Sequence, residues 1–299
     1  MNQPVFLFIL FLLGIAGRFL SFLPKDLYKK INKFIIYLPL PAITLAKIPH
    51  LQITQEVLFP IASAWIIFFI SIAYALITAK LFGFKKETIA CIILACGLGN
   101  TSFVGYPILS YLYGQQSIQY AIFVDQPGSF FLMSTFGVLI AVLFSSGNFD
   151  GKTILKKLFS FPPFIIFIIS LFIPATWVEN NTLDVLTFTG SFMVPLALLS
   201  LGLQFQLKLK EIEWKSFFTG IAYKLVFAPL IIYLLFYILL KKQGEIYVVS
   251  VMECAMPPMI TSSIIASEYG LDEKLAGILP TMGILFSIPT LYFWHGLLG

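Results

Sequence analysis

The sequence is poor in charge. Only 11% of its 299 residues are Asp, Glu, Lys or Arg, whereas 59% are hydrophobic; a soluble domain carries about 25% charged residues. A soluble fold of this length needs far more polar surface, so the composition argues against a water-soluble enzyme. A disordered chain is excluded as well, because disorder combines low hydrophobicity with high charge. The composition is typical of a polytopic membrane protein.

Residue types that often carry metal and acid–base chemistry are also scarce, with two histidines and three cysteines. Cys91, Cys96 and Cys254 lie inside apolar stretches without CxxC or metal-ligand spacing, which favours buried small residues. No HExxH or GxSxG motif occurs, so we do not expect an enzyme. We expect no cofactor, apart from a sodium ion if the protein binds one. The net charge of +5 is explained by loop lysines, so no nucleic-acid partner is expected.

Hydrophobic runs divide the chain into ten segments. A span needs about 20 apolar residues, lipid admits only helices or closed barrels, and the alternating strands of a barrel are absent. The sequence therefore predicts an all-α fold in a single transmembrane transporter domain over residues 1–299. The ten spans are predicted near 4–22, 33–48, 58–81, 88–112, 117–145, 159–175, 183–203, 215–240, 245–267 and 274–297.

The lysines of the loops predict the orientation. Fourteen of them lie in alternate loops on one side of the membrane, and three lie on the other. Because cytoplasmic loops are enriched in Lys and Arg, this asymmetry places both termini outside and residues 146–157 in the cytoplasm. The expected location is the plasma membrane, which is the inner membrane in a bacterium.

Three dipeptides recur at a single offset of 156 residues. Pro39-Leu40 matches Pro195-Leu196, Lys85-Lys86 matches Lys241-Lys242, and Tyr113-Gly114 matches Tyr269-Gly270. A repeat unit with five spans places its copy upside down in the membrane. The pattern predicts two inverted five-helix repeats, 1–145 and 158–299, with a substrate site near the midplane where corresponding helices break.

Span four contains such a break within residues 97–107. Glycine permits unwinding, and the backbone groups that unwinding exposes need partners other than lipid. Asn100, Thr101 and Ser102 supply polar side chains there, and they suit the start of a second half-helix whose positive dipole end favours an anion. The predicted break residues are Gly97, Gly99, Gly105 and Pro107.

The offset maps the first break onto Met256, Pro257 and Pro258 in span nine. Two prolines remove two amide donors and disfavour helix before them; either is expected to start the second half-helix. Glu253 lies just before the break, where free carbonyls and a carboxylate would suit Na⁺. The candidate substrate-binding residues at the two breaks are Asn100, Thr101, Ser102, Pro257, Pro258, Thr261 and Ser262.

Residues 99–107, Gly-Asn-Thr-Ser-Phe-Val-Gly-Tyr-Pro, resemble the GNTGFLGLP-type signature of the auxin efflux carrier family. Residues 195–202, Pro-Leu-Ala-Leu-Leu-Ser-Leu-Gly, are similar to its PLALLSLG stretch, and residues 255–257 with 268–272 are similar to its AMP…YG.D segment. Members include plant auxin exporters and bacterial carriers for malate or malonate. The resemblance implies ten helices with crossed, broken helices four and nine, as in bile-acid sodium symporters, where an acid placed like Glu253 ligates sodium. The short 146–157 loop favours a prokaryotic-type carrier over an auxin exporter.

Four ionisable residues fall inside predicted spans, namely Arg18, Asp125, Lys224 and Glu253. A charge at the bilayer centre costs at least ~2.5–3.5 kcal/mol, so each is a functional candidate, although Arg18 lies near a span end and could snorkel. Lys224 could hold a substrate carboxylate or pair with Asp125 or Glu253. The candidate ion-coupling residues are Glu253, Asp125, Asn100, Gln126 and Met256.

The leading hypothesis is therefore a secondary active transporter that moves a small organic anion by alternating access, coupled to Na⁺ or H⁺. A channel or a ligand-sensing protein on the same fold is the alternative. The expected partners are the anion, the coupling ion and the lipid bilayer, with a homodimer as one arrangement.

Overall fold

The computed structural model describes residues 3–20, 23–24, 26–50, 54–145, 162–204 and 213–299. Within these ranges the chain is helical, with short 3₁₀ and π-helical turns and no named β-strand. The α-helices are α1 Gln3–Gly17, α2 Leu27–Tyr37, α3 Pro39–Lys47, α4 Leu58–Phe82, α5 Lys86–Gly97, α6 Tyr106–Tyr113, α7 Ile118–Val124, α8 Val138–Phe144, α9 Pro162–Ser170, α10 Asn180–Ser191, α11 Met193–Gln204, α12 Trp214–Ala222, α13 Ala228–Tyr233, α14 Glu245–Cys254, α15 Ile260–Glu268 and α16 Glu273–Leu298.

Within the described residues, six helical segments are long and apolar enough to cross a membrane. They are Leu27–His50, Gln55–Phe82, Gln115–Phe144, Asn180–Leu203, Trp214–Leu239 and Glu273–Leu298. Two other predicted spans, the fourth and the ninth, are divided into shorter helices by interruptions. The chain is therefore a helical membrane protein, as its composition predicts.

Two details of the predicted spans differ from the structure. Arg18, predicted inside span one, follows the end of α1 and is exposed, so it carries no buried charge. Span two, predicted from residue 33, is helical from Leu27. Lys33 is exposed on that helix, where a long side chain can keep its ammonium in water. The loop lysines Lys25, Lys152, Lys156, Lys157, Lys208 and Lys210 lie outside the described residues.

The chain forms two compact units. Unit 1 contains Met1–Thr54, Ser102–Ile122 and Phe159–Phe205, and unit 2 contains Gln55–Thr101, Phe123–Leu158 and Gln206–Gly299.

Unit 1 contains a close helix crossing between α1 and α11. A Cβ atom added at Gly202 would lie 2.2 Å from the carbonyl oxygen of Phe11 and 2.7 Å from the Cα of Gly14. A Cβ added at Gly14 would lie 2.3 Å from the carbonyl oxygen of Leu199. Small residues let helix backbones approach in this way, and such packing drives helix association in lipid.

We expect Gly202→Val to destabilise unit 1, because backbone atoms at 2.2 Å cannot yield to a side chain. Overpacking of this kind costs about 1–3 kcal/mol, so the melting temperature of the purified protein should fall by about 2–5 °C. Gly277→Ala in α16 is the matched control, since nothing lies within 4 Å of the added Cβ. Equal melting temperatures for the two variants would contradict the close crossing.

Candidate functional site

The interruptions of spans four and nine pair with each other in unit 2. Helix α5 ends at Gly97 and α14 ends at Cys254, and beyond them Gly99 and Pro258 form an antiparallel bridge. The backbone N–H of Asn100 donates to the carbonyl oxygen of Pro257 at 2.9 Å. Backbone groups that lipid could not satisfy are thus partly satisfied by the other broken helix.

The prolines do not start a half-helix, which corrects the prediction from the sequence. Helix α15 begins at Ile260, and Pro257 and Pro258 lie in the extended connection before it. Proline suits this position because it offers a carbonyl acceptor and has no N–H to satisfy. Met259, directly after the prolines, donates its N–H to the carbonyl oxygen of Ala95 at 3.0 Å.

The first turn of α15 uses its own hydroxyl groups. Ser262 is fully buried, and its Oγ donates to the carbonyl oxygen of Met259 at 3.0 Å. Ser263 makes the equivalent bond at 3.1 Å. Thr261, in contrast, is exposed. Ser262 therefore supports the helix start, and Thr261 does not share its buried environment.

Lys224 is fully buried in a π-helical turn, Tyr223–Phe227. Its Nζ donates to the carbonyl oxygen of Cys254, the last residue of α14, at 2.9 Å. The carbonyl end of a helix carries partial negative charge, so an ammonium group stabilises it. Lys224 thus binds the carbonyl end of the broken helix rather than forming a direct ion pair with Asp125 or Glu253 among the described residues.

Gly99 makes room for this ammonium group. A Cβ at Gly99 would lie 2.9 Å from the Nζ of Lys224 and 3.2 Å from the carbonyl oxygen of Glu253. The close approach therefore depends on the missing side chain.

Asp125 is buried and fully engaged. It begins a π-helical turn, Asp125–Phe130, a form that recurs at functional sites. Thr101 Oγ1 donates to its Oδ1, and Gln126 Nε2 donates to its Oδ2 at 2.6 Å. Each carboxylate oxygen thus has a donor, as an ionised buried acid requires.

Tryptophan and alanine side chains of α4 adjoin the same turn. Trp65 Nε1 donates to the carbonyl oxygen of Pro127 at 3.0 Å. A Cβ at Gly128 would lie 2.7 Å from the Cβ of Ala64. Helix α4 therefore binds a carbonyl of the irregular turn and packs closely against its glycine.

Glu253 has the opposite environment to Asp125. It is 1% exposed, and neither carboxylate oxygen has a hydrogen-bond partner within the described part of the chain. The same holds, among those residues, for the Nδ2 of Asn100 and the Oε1 of Gln126. Asp125 and Lys224 both lie close enough to Glu253 for their charges to interact with it. Buried polar atoms without partners are rare in folded proteins and call for a ligand or another explanation.

Most of the predicted site residues thus belong to unit 2 and gather at the paired breaks. The members are Asn100, Thr101, Asp125, Gln126, Lys224, Glu253, Met256, Pro257 and Pro258. Ser102 is half-buried and belongs to unit 1. Of the predicted break residues, Gly97 and Gly99 flank the break, whereas Gly105 and Pro107 lie in helical turns beyond it.

Sequence reasoning missed three contributors. The carbonyl oxygen of Cys254 could not be identified from the sequence, because every residue has a backbone carbonyl. Trp65 could not be identified either, because a tryptophan in an apolar span resembles an ordinary packing residue. Tyr223, whose hydroxyl donates to the carbonyl oxygen of Ile67, directly precedes Lys224. A polar aromatic next to an intramembrane charge is a signal that could have identified it.

The comparisons with known proteins identify a family of membrane transporters. The model of the family described as "Membrane transport protein" matches residues 1–145 and 150–295. An uncharacterized transporter from Methanocaldococcus jannaschii is 28% identical over 309 residues, covering 100% of this chain and 98% of its own. An uncharacterized transporter from Methanothermobacter thermautotrophicus is 24% identical over 292 residues, covering 96% of this chain and 94% of its own.

The family match thus covers both halves of the chain. The two similar proteins are both named as transporters, and the similarity extends over nearly their whole lengths. Together with the apolar helices and the paired breaks, these matches indicate a transport protein rather than an enzyme. The chain belongs to the membrane transport protein family, which is the auxin efflux carrier family.

Proposed function

We propose that the protein is a secondary active transporter that moves a small organic anion by alternating access, coupled to Na⁺ or H⁺. The observation that carries the proposal is the pair of broken helices with Glu253 buried beside them. A buried carboxylate without a donor is costly for a protein that only needs stability. It is useful in a protein that must bind and release a cation, since intramembrane acids mark ion pathways.

Alternating access follows if the chain is an inverted repeat, and the helix boundaries support one. Moved by 156 residues, Leu58–Phe82 falls on 214–238, and the observed helical segment is Trp214–Leu239. Moved equally, Lys86–Gly97 falls on 242–253, and α14 spans Glu245–Cys254. Inverted halves can exchange conformations, which opens a midplane site to each side in turn.

The contacts inside unit 2 support the same repeat. Tyr223 and Ile67 are joined by a hydrogen bond and lie 156 residues apart, as two equivalent residues on a pseudo-two-fold axis would. The hydrogen bond from Asn100 to Pro257 joins two residues whose separation in the sequence is one residue more than this offset.

The anion is proposed to bind at the starts of the second half-helices. Asn100 directly precedes the π-helical turn Thr101–Gly105 and Thr101 begins it, and the N–H end of a helix favours a carboxylate. The Nδ2 of Asn100, which has no partner among the described residues, offers a further donor. Lys224 would attract the anion electrostatically while it stays bound to the carbonyl of Cys254.

The coupling cation is proposed to bind at Glu253 with Asp125 nearby. Carboxylate and amide oxygens suit Na⁺, and Gln126 contributes an Oε1 that no other described residue binds. The buried sulfur of Met256 is a poor ligand for a hard cation, so we assign Met256 to packing.

Counterflow tests the transporter against a channel. Proteoliposomes loaded with a short carboxylate, chosen from a thermal-shift screen of mono- and dicarboxylates, should take up the labelled compound faster than empty ones, with saturation. An ohmic current without counterflow would instead identify a channel and contradict the proposal.

We also propose that both termini face outward across the plasma membrane, because this topology places the described loop lysines on the inner side, where Lys and Arg are enriched. These lysines are Lys29, Lys30, Lys33, Lys80, Lys85, Lys86, Lys215 and Lys274. A reporter enzyme that is active only outside the cytoplasm should be active when it is fused after Gly299. Activity of a cytoplasm-dependent reporter at the same place would reverse the topology.

A further inference from the structure

The paired breaks of unit 2 enclose an unequal number of opposite charges. Among the residues whose side chains the structure describes, the buried Asp, Glu, Lys and Arg residues are Asp125, Lys224 and Glu253. Two are acids and one is a base. If all three were ionised, the buried cluster would carry a net charge of −1.

The other titratable side chains near the cluster do not change this count. Cys96 and Cys254 are close enough to Lys224 to interact with its charge, and Tyr223 directly precedes it in the chain. A thiol ordinarily ionises near pH 8.5 and a phenol near pH 10, both above physiological pH. They are neutral at physiological pH.

A net buried charge inside a membrane is costly unless a counter-ion neutralises it. Lys224 already neutralises one of the two acids from within the protein, while its Nζ is bound to Cys254. The remaining acid needs one monovalent cation from solution. Both oxygens of Asp125 accept hydrogen bonds from protein donors, whereas those of Glu253 accept none from the described residues.

We propose that the site binds a single monovalent cation per chain and that Lys224 acts as a tethered second cation which fixes this number. The inference rests on the proposed function for its meaning in transport. It adds the cation count and the residue that sets it. The shared chemistry of the ligand is one positive charge, which either Na⁺ or H⁺ supplies.

If Lys224 has this role, removing charged side chains of the cluster should change the number of cations that each chain binds. Removing its charge leaves two buried acids, so Lys224→Met should bind two cations. Removing one acid as well restores the balance, so the double variant Lys224→Met with Glu253→Gln should bind one. Glu253→Gln alone has a neutral cluster and should bind none. A merely structural lysine would lower stability in Lys224→Met without raising the number of bound cations.

The test is equilibrium binding of ²²Na⁺ to the purified full-length chain in choline buffer, counted per chain at saturation. We expect one Na⁺ for the wild type, two for Lys224→Met and one for the double variant. Lys224→Arg keeps the charge, so it should bind one, and it serves as the folded control if Lys224→Met aggregates.

Proton release, measured with a pH-sensitive dye in a weakly buffered solution, distinguishes Na⁺ from H⁺ as the bound cation. If H⁺ occupies the site before Na⁺, sodium addition should release one proton per chain. If only H⁺ binds, a jump to a higher pH at which Lys224 keeps its own proton should release one proton more from the wild type than from Glu253→Gln, and two more from Lys224→Met than from Glu253→Gln. Equal counts in wild type and Lys224→Met, or no cation of either kind in the wild type, would overturn the proposal.

These measurements need no transport. A chain that shows the predicted counts but fails in counterflow would refute the proposed function and leave the cation count standing. A chain that transports while Lys224→Met and wild type bind equally would refute only the tethered cation.

Discussion

Replacing Gly99 by Val should reduce transport by about 100-fold or more, because small displacements of binding groups cost that much. The added Cβ would lie 2.9 Å from the Nζ of Lys224 and 3.2 Å from the carbonyl oxygen of Glu253. The Nζ of Lys224 would have to move from its position beside Cys254, and the carbonyl of Glu253 would have to shift by a few tenths of an ångström. Initial counterflow rates at equal protein content measure the effect.

The matched control for Gly99→Val is Gly277→Ala, where the new methyl group meets nothing within 4 Å. Size-exclusion chromatography should show that the Gly99 variant still folds as a single species, since its disturbance is local to the breaks. Unchanged counterflow in a folded Gly99→Val protein would mean that the close approach of Lys224 has no functional role.

Replacing Glu253 by Gln should separate exchange from accumulation. The amide keeps the size of the side chain but cannot bind Na⁺ as an anion or carry a proton. We expect counterflow to persist, while accumulation driven by a cation gradient falls by about tenfold or more, the scale of a typical coupling free energy. Parallel assays of counterflow and gradient-driven uptake measure the two effects.

Glu179→Gln provides the control for this variant, because Glu179 is exposed and its charge lies outside the buried cluster. It should leave both assays unchanged. Gradient-driven accumulation that survives in Glu253→Gln would assign the coupling to another residue.

Much of the site could be predicted because polar residues and helix breakers are rare in these apolar spans. Asp125, Lys224 and Glu253 stood out as charges in apolar spans, and all three are buried. The offset of 156 residues placed Pro257 near the break of span four, and the two breaks pair. In lipid, such features are costly enough that each one carries information.

Other features could not be predicted, because they depend on backbone geometry. The start of α15 at Ile260 rather than at a proline follows from the extended pairing of Gly99 with Pro258. The bond from Lys224 goes to the backbone of Cys254, an acceptor that every residue possesses. The sequence predicted a substrate carboxylate, Asp125 or Glu253 as its partner, because a backbone acceptor cannot be recognised from a sequence.

Arg18 illustrates a further limit. In the sequence it interrupts a hydrophobic run and counts as an intramembrane charge, but α1 ends one residue earlier and leaves it exposed. Span boundaries shift by a few residues because hydropathy does not mark where a helix unwinds.

The most direct test of cation-coupled transport is accumulation of a labelled carboxylate in wild-type proteoliposomes under an imposed Na⁺ or pH gradient, with the membrane potential clamped. We predict that the internal concentration of the carboxylate rises above the external concentration under one of the two gradients and collapses when that gradient is dissipated. Equilibration to equal concentrations under both gradients would contradict it.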